Sequence, residues 1–364
     1  MKCTVDKASF LQHLQKAADI VCRKATLPIL SNIKLEAAGD ELKLTATNLE
    51  TMIETTLKAV VAEDGATTLP AKSLTDLANR LTGTEIQLES DKKFHCKILC
   101  GSAAFKLLGL DPADFPEPFA GEPKSKITLK IADCTRLVDR VAYAVSKDDT
   151  RKILQGVLLA VKDGVLTAAA TDGKRLATMT LTPDALEGDC QDIVIPYRAA
   201  LEVRRLLEGD APVALAYNER TLSMCIGTTA LTTKLIAGNF PDFRRVMPQE
   251  YRKTVSLATA PLLASLELVS IPLESGGNVA LKFSPGLLGL HGESQSIGEG
   301  ADTIDIPYQY EDPIQMFFNP EFLREPLKHA GAERLNLRMN DEQSPIALED
   351  GNGFTYILMP LRVR

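Results

Sequence analysis

The sequence predicts an α+β protein built from three tandem copies of one small domain, each with two helices packed on antiparallel sheets. Two observations lead to this class: landmark segments recur at an offset of about 125 residues, and the same order of hydrophobic periods fills each interval. Phe115-Pro116-Glu117 returns as Phe240-Pro241-Asp242, and Thr67-Thr68-Leu69-Pro70 as Ile193-Val194-Ile195-Pro196. A fainter third copy has Phe317-Phe318-Asn319-Pro320 at the proline step and Leu358-Met359-Pro360 where the next Phe-Pro would fall. Solenoid units run roughly 20–50 residues, so a period this long is a domain repeat, and it matches the commonest domain size. The copies are expected at residues 1–122, 126–248 and 249–364, joined at Gly121-Glu122-Pro123-Lys124-Ser125 and Pro248-Gln249-Glu250.

Each copy opens on an amphipathic helix. Phe10, Leu11, Leu14, Ala17, Ala18 and Val21 stand at helical spacing, as do Cys134, Leu137, Val138, Val141, Ala142 and Val145, then Leu262, Leu263, Leu266 and Val269. A hairpin follows. In copy two, residues 156–161 turn at Asp163-Gly164 into residues 165–170, and Asp-Gly supplies the positive φ of a tight hairpin turn; copy one repeats this at Gly39-Asp40. A proline then precedes the second helix: Pro70 before Leu74, Leu77, Ala78 and Leu81, Pro196 before Ala200, Val203 and Leu207, and Pro320 before Phe322, Leu323 and Leu327. Pro326 interrupts the last of these, which predicts a kink or a delayed start. Strands close each copy, as at residues 213–217, 222–226 and 230–236.

Composition narrows the function. Hydrophobic content of 45% and charged content of 24% are those of a globular protein. No apolar run reaches the roughly 18 residues of a membrane span, and Met1-Lys2-Cys3-Thr4-Val5-Asp6 has no apolar signal core, so a cytoplasmic protein is expected. Seven scattered cysteines do not form a disulfide framework. His95, Cys96 and Cys100 invite a zinc reading, but residues 93–100 read as a strand, where four residues span roughly 13 Å, too far for two thiolates on one metal. The net charge of −7 is unevenly spread: −2 over residues 1–125, +2 over 126–249 and −7 over 250–364. Phosphate binding depends on local potential, so an acidic total does not exclude DNA.

Catalytic constellations are missing. The four histidines form no HExxH pair, and neither GxSxG, GxxxxGK[ST] nor GxGxxG is present, so no cofactor and no metal are expected. The distinctive segments are Ala170-Thr171-Asp172-Gly173-Lys174-Arg175-Leu176-Ala177, the connector at 235–248 with its aromatics, prolines and Arg244-Arg245, and an apolar terminus at 356–362. Together they suggest an apolar pocket rimmed by arginine, of the kind that takes a short peptide.

At these residues the chain resembles the bacterial DNA polymerase III beta subunit family, the replicative sliding clamps. The likeness covers the whole length and includes Thr26-Leu27-Pro28-Ile29-Leu30-Ser31-Asn32, the 170–177 turn, the 240–248 connector and Met359-Pro360-Leu361-Arg362. It implies three clamp domains per chain, a head-to-tail homodimer closing a six-domain ring, and a function without catalysis. The ring encircles double-stranded DNA without regard to sequence, and tethers DNA polymerase and the clamp loader through short linear motifs; no membrane is involved. A clamp-like scaffold that binds peptides without enclosing DNA is the alternative, and an enzyme a third reading that the missing motifs disfavour.

Carried over residue by residue, the resemblance implies DNA contacts at Lys24, Lys72, Lys147, Arg198 and Arg205. It implies a partner pocket of Arg151, Leu154, Thr171, Gly173, Lys174, Arg175, Leu176, Pro241, Arg245 and Val246, with Asn319, Phe322, Pro345, Met359, Pro360, Leu361 and Arg362 from the third copy. Ring closure would set Phe105, Lys106, Leu107 and Leu108 against Leu268, Val269, Ile304 and Ile306. Gly276-Gly277 and the Val363-Arg364 extension depart from the family's pattern.

Overall fold

A computed structural model describes residues 1–21, 27–119, 121–248 and 250–362, so Lys24 and Val363-Arg364 lie outside the described residues. The chain forms two compact units. One holds Met1–Cys134, Asp184–Gln191 and Arg198–Leu235; the other holds Thr135–Pro183, Asp192–Tyr197 and Ile236–Arg364. The second copy therefore contributes strands to both.

The first unit contains a five-stranded sheet in the order Val60–Glu63, Lys2–Asp6, Glu85–Ser90, Cys96–Cys100, Ala103–Leu107. Its second sheet has nine strands and runs from Ala185–Gly188 at one edge to Gly65–Pro70 at the other. Copies one and two meet inside this sheet, where Thr229–Lys234 pairs antiparallel with Thr51–Lys58 and Leu231 stands opposite Ile53. Helices α1 (Lys7–Ile20) and α2 (Ala71–Arg80) pack on one another, burying Phe10, Leu14, Ala17, Leu74 and Ala78. Asp6 caps α1 by accepting from the Ser9 N–H at 2.8 Å, which satisfies one of the helix's free donors.

Copy two supplies α3 (Ile131–Asp139) and α4 (Tyr197–Leu206). The expected helix to Val145 stops early: the Val141 N–H bonds Val138 O and Ala142–Ala144 is a 3₁₀ turn. The apolar period continues because Val141, Ala142 and Val145 are buried, but the tighter winding turns the chain so that the Ser146 N–H reaches Leu154 O.

The second unit is built on an eight-stranded sheet that runs from Ile193–Pro196 to Lys253–Ala258. Copies two and three join in it through Arg175–Leu181 against Phe354–Leu358, with Leu176 opposite Ile357. Strands Gly156–Lys162 and Val165–Thr171 close on Asp163 and Gly164, at φ 51° and 78°, the doubly positive turn that their sequence predicts. A four-stranded sheet, in the order Gly298–Asp305, Leu287–Ser294, Val279–Ser284, Ile314–Phe318, completes the unit. Its helices α5 (Thr259–Val269) and α6 (Pro320–His329) pack together.

Pro326 neither delays nor ends α6. It removes the N–H that would bond Phe322 O, and the hydroxyl of the buried Tyr356 donates to that carbonyl instead, at 2.7 Å. The strand that argues against zinc is shorter than expected but still spans Cys96–Cys100: Phe94 has φ 63° in a turn, and the strand begins at Cys96. Cys96 and Cys100 are both buried, and burial pushes the Cys96 thiol up to about 12. Among the described residues no helix is long and apolar enough to cross a membrane.

Candidate partner-binding pocket and the charged surfaces

The described pocket residues all belong to the second unit, and the turn after Val165–Thr171 organises them. Asp172 Oδ1 accepts from the N–H groups of Lys174 and Arg175 at 2.9 and 3.1 Å, while Thr171 Oγ1 accepts from Gly173 N–H and donates to Arg175 O at 2.6 Å. Gly173 sits at φ 88°, and a Cβ there would lie 3.1 Å from Arg151 Nη1. Arg151 needs that approach, because its Nη2 donates to Asp172 O and its Nε to Asp148.

Arg175 is not a rim residue. Only 8% of its side chain is exposed: Nε bonds Asp172 at 3.0 Å, Nη2 bonds Tyr143 O at 2.8 Å, and the guanidinium lies 4.3 Å from the Phe322 ring centroid. A cation so placed fixes α6 against the turn and presents little charge to a ligand. Leu176 and Leu154 are also buried; Leu176 belongs to a core of Leu158, Ala169, Val194, Phe243 and Ile357 under the connector. Among the apolar pocket candidates Val246, Met359 and Leu361 are 56%, 46% and 41% exposed; Pro241 is also exposed, and Pro345, Pro360, Asn319 and Phe322 are half-buried. Arg151, Lys174, Arg245 and Arg362 are exposed and remain the candidate rim cations, with Arg245 paired to Asp242 at 3.0 Å. The terminal segment is pinned on both sides, Met359 N–H to Lys174 O and Leu361 N–H to Phe317 O. The sequence offers these pocket candidates but not the contacts made by Asp172, Tyr143 and Tyr356, although the Thr-Asp-Gly-Lys string is itself an Asx-turn signal.

Of the DNA-contact candidates, Lys72 on α2, Arg198 on α4 and Lys147 are exposed. Arg205 is exposed but bonded to both oxygens of Glu202 at 3.1–3.2 Å. Beside it, a cleft of about 180 Å³ is lined by Lys16, Asp19 and Glu208. Burial raises the Glu202 carboxyl above its ordinary value and Asp19 adds to this, with Arg205 opposing. Acid is therefore mixed among these cations.

The ring-closure candidates divide. Strand Ala103–Leu107 is a free sheet edge, with Phe105 and Leu108 46% and 66% exposed. Strand Gly298–Asp305 is likewise an edge, with Ile304 half-buried. Val269 and Ile306 are corrections: both are buried, Val269 because its side of α5 faces the core and Ile306 because it continues the covered face of the strand after residues 300, 302 and 304. Leu268 is 54% exposed, and Ile271, one turn on, is 72% exposed and was not singled out from the sequence. Each edge carries a like-charge pair directly across the ladder: Lys97 opposite Lys106, and Glu293 opposite Glu299, which with His291 is the group among the described residues spaced for a metal.

Comparisons with known proteins agree along the whole chain. The N-terminal, central and C-terminal domain families of the DNA polymerase III beta subunit match residues 1–118, 128–242 and 244–362. The beta sliding clamp of Caulobacter vibrioides is 31% identical over 374 residues, with both proteins covered completely. The crystal structure of the DNA polymerase III subunit beta from Pseudomonas aeruginosa superposes with a TM-score of 0.95 at 28% identity, covering all of both chains. That of a sliding clamp from Bartonella birtlesii bound to griselimycin gives 0.94 at 28% identity and the same coverage. Three clamp domains in one order, on sheets shared between neighbouring copies, place this chain in the DNA polymerase III beta subunit family of sliding clamps.

Proposed function

We propose that two copies of this non-catalytic clamp close head to tail into a six-domain ring around duplex DNA, and that the pocket at Val246, Met359 and Leu361 holds the replicative polymerase and the clamp loader. The observation that carries the ring is charge complementarity between the two free sheet edges. The Lys97–Lys106 pair at Ala103–Leu107 and the Glu293–Glu299 pair beside Gly298–Asp305 are like charges in facing ladder positions; Asp91 at 3.4 Å from Lys106 and His291 at 3.5 Å from Glu299 offset them only in part, and the opposite pair on a second copy would offset the rest. Phe105, Leu107 and Leu108 on one side, and Leu268, Ile271 and Ile304 on the other, supply apolar contact. Such complementarity sets orientation more than affinity.

Lys72, Lys147 and Arg198 suit weak, sequence-independent phosphate contacts, which a sliding ring requires. Lys24, outside the described residues, belongs with them on resemblance. Covering the pocket with Leu and Phe side chains of a linear motif contributes on the order of 2 kcal/mol per apolar side chain, enough for partners that bind in turn. The copies at 1–122, 126–248 and 249–364 are the functional domains in this reading, and the site of action is the bacterial cytoplasm.

The test has two arms. Light scattering should give twice the 39.5 kDa chain mass, and protein loaded on circular DNA by a clamp loader should be retained there and lost after linearisation. A monomer, or equal retention on both templates, would favour the scaffold. For the pocket, griselimycin should bind the parent chain, and Val246→Asp should abolish binding while leaving the dimer intact. Unchanged binding would sink the pocket assignment.

A further inference from the structure

We infer that Tyr356 and Pro326 are positioning residues for the partner pocket, a proposal resting on the pocket reading: the proline frees a helix carbonyl so that a tyrosine from the pocket-forming strand can hold it. In an unbroken helix the N–H of residue 326 would bond the carbonyl of residue 322. Proline has no N–H, and a buried carbonyl left without a donor is costly. Here the donor is Tyr356, fully buried on strand Phe354–Leu358, whose hydroxyl reaches Phe322 O at 2.7 Å. Burial pushes this phenol far above its ordinary value, so it stays a protonated donor at any working pH.

The bond joins two parts of the pocket. Phe322 stands in the first turn of α6, where Asn319 caps the helix and the ring meets Arg175 at 4.3 Å. Three residues beyond Tyr356 the same chain becomes Met359, held by Lys174 O, and then Leu361, held by Phe317 O. The helix wall and the strand wall of the pocket are thus linked by one hydrogen bond that exists because the helix contains a proline. Elsewhere in α6 the pattern is ordinary, with the Ala330 N–H on Pro326 O. Pro326 lies buried mid-helix, where proline is otherwise disfavoured.

The proposal makes a reciprocal demand. Tyr356→Phe strands the Phe322 carbonyl, and Pro326→Ala returns the helical N–H that satisfies it. With griselimycin as probe on the full-length chain, Tyr356→Phe is expected to weaken binding roughly fivefold, the scale of one hydrogen bond. The double variant Tyr356→Phe/Pro326→Ala is expected to recover to within about twofold of the parent. Amide resonances of Phe322, Met359 and Leu361, recorded without ligand, should shift in the single variant and return in the double. A lower melting temperature with unchanged affinity and unchanged resonances would show a merely structural tyrosine and overturn the proposal, as would a defect that Pro326→Ala does not repair. Resonances that follow the cycle while affinity does not would uphold the positioning and refute the pocket reading. Should Tyr356→Phe fail to fold, the double variant must still be soluble and bind griselimycin; an insoluble or non-binding double variant overturns the proposal.

Discussion

Asp172→Ala is the perturbation with the clearest physical content. The Asp172 carboxylate accepts two backbone N–H bonds of its turn and the Nε of Arg175, with 16% of the aspartate and 8% of the arginine side chain exposed. Removing one partner of a buried pair costs about 3–5 kcal/mol, because the other charge stays desolvated. Two contacts of the guanidinium survive, to Tyr143 O and the Phe322 face, and water can reach the turn amides. The net expectation is therefore at the low end, about 3 kcal/mol. For a unit of between 150 and 250 residues this lowers Tm by about 6–12 °C, read by calorimetry. Asp172→Asn, which keeps an acceptor for the turn, should cost about half as much. Asp172→Ala/Arg175→Met should be less destabilised than Asp172→Ala alone, since no orphaned charge remains. A Tm loss below about 2 °C for Asp172→Ala, or simple additivity in the double variant, would refute the claim that the pair is buried and coupled.

Other outcomes follow from burial and charge. Leu176→Asp is expected to give insoluble or unfolded protein in an expression and melting assay, because Leu176 is 2% exposed within the core, whereas Val246→Asp at 56% exposure should leave Tm within about 2 °C of the parent. Lys106→Glu should shift the light-scattering mass toward monomer, and Glu299→Lys in the same chain should restore the dimer; no restoration would separate these charges from ring closure. Affinity for linear DNA should fall steeply with salt, and Lys72→Glu should reduce the slope of log K against log salt by about one, measured by fluorescence anisotropy. The Ser265 hydroxyl, with the Thr303 N–H, holds the Asp302 carboxyl below its ordinary value. A depressed carboxylate adds stability above its unfolded pKa and loses it as pH falls through the folded one. Ser265→Ala should therefore show a shallower loss of Tm below about pH 4; an unaltered acid limb would count against it.

The elements that could be read in advance are those whose signal is local. The Asp163-Gly164 turn, the proline steps at Pro70, Pro196 and Pro320, and the helical stripes of α1, α2 and α5 depend on backbone preference and period. Errors arose where a side chain's environment is supplied from far along the chain. Val145 keeps the helical period but ends up beyond a 3₁₀ turn, and Pro326 is accommodated because Tyr356, thirty residues later, replaces the missing donor. Arg175 reads as a rim cation beside Lys174, yet Asp172, Tyr143 O and Phe322 enclose it. Val269 and Leu268 are neighbours of equal apolarity, and only the packing of α5 decides that one is buried and the other exposed.

By itself the sequence determined the triplication, the α+β class of each copy and the absence of catalytic motifs, because repeats, periods and turn residues act over a few neighbours. Only the tertiary structure decided that neighbouring copies share continuous sheets through Leu231 opposite Ile53 and Leu176 opposite Ile357. It also decided which pocket residues are surface and which are core. Those outcomes depend on strand edges and side-chain enclosure between segments up to about 180 residues apart, and no local pattern carries information over that separation.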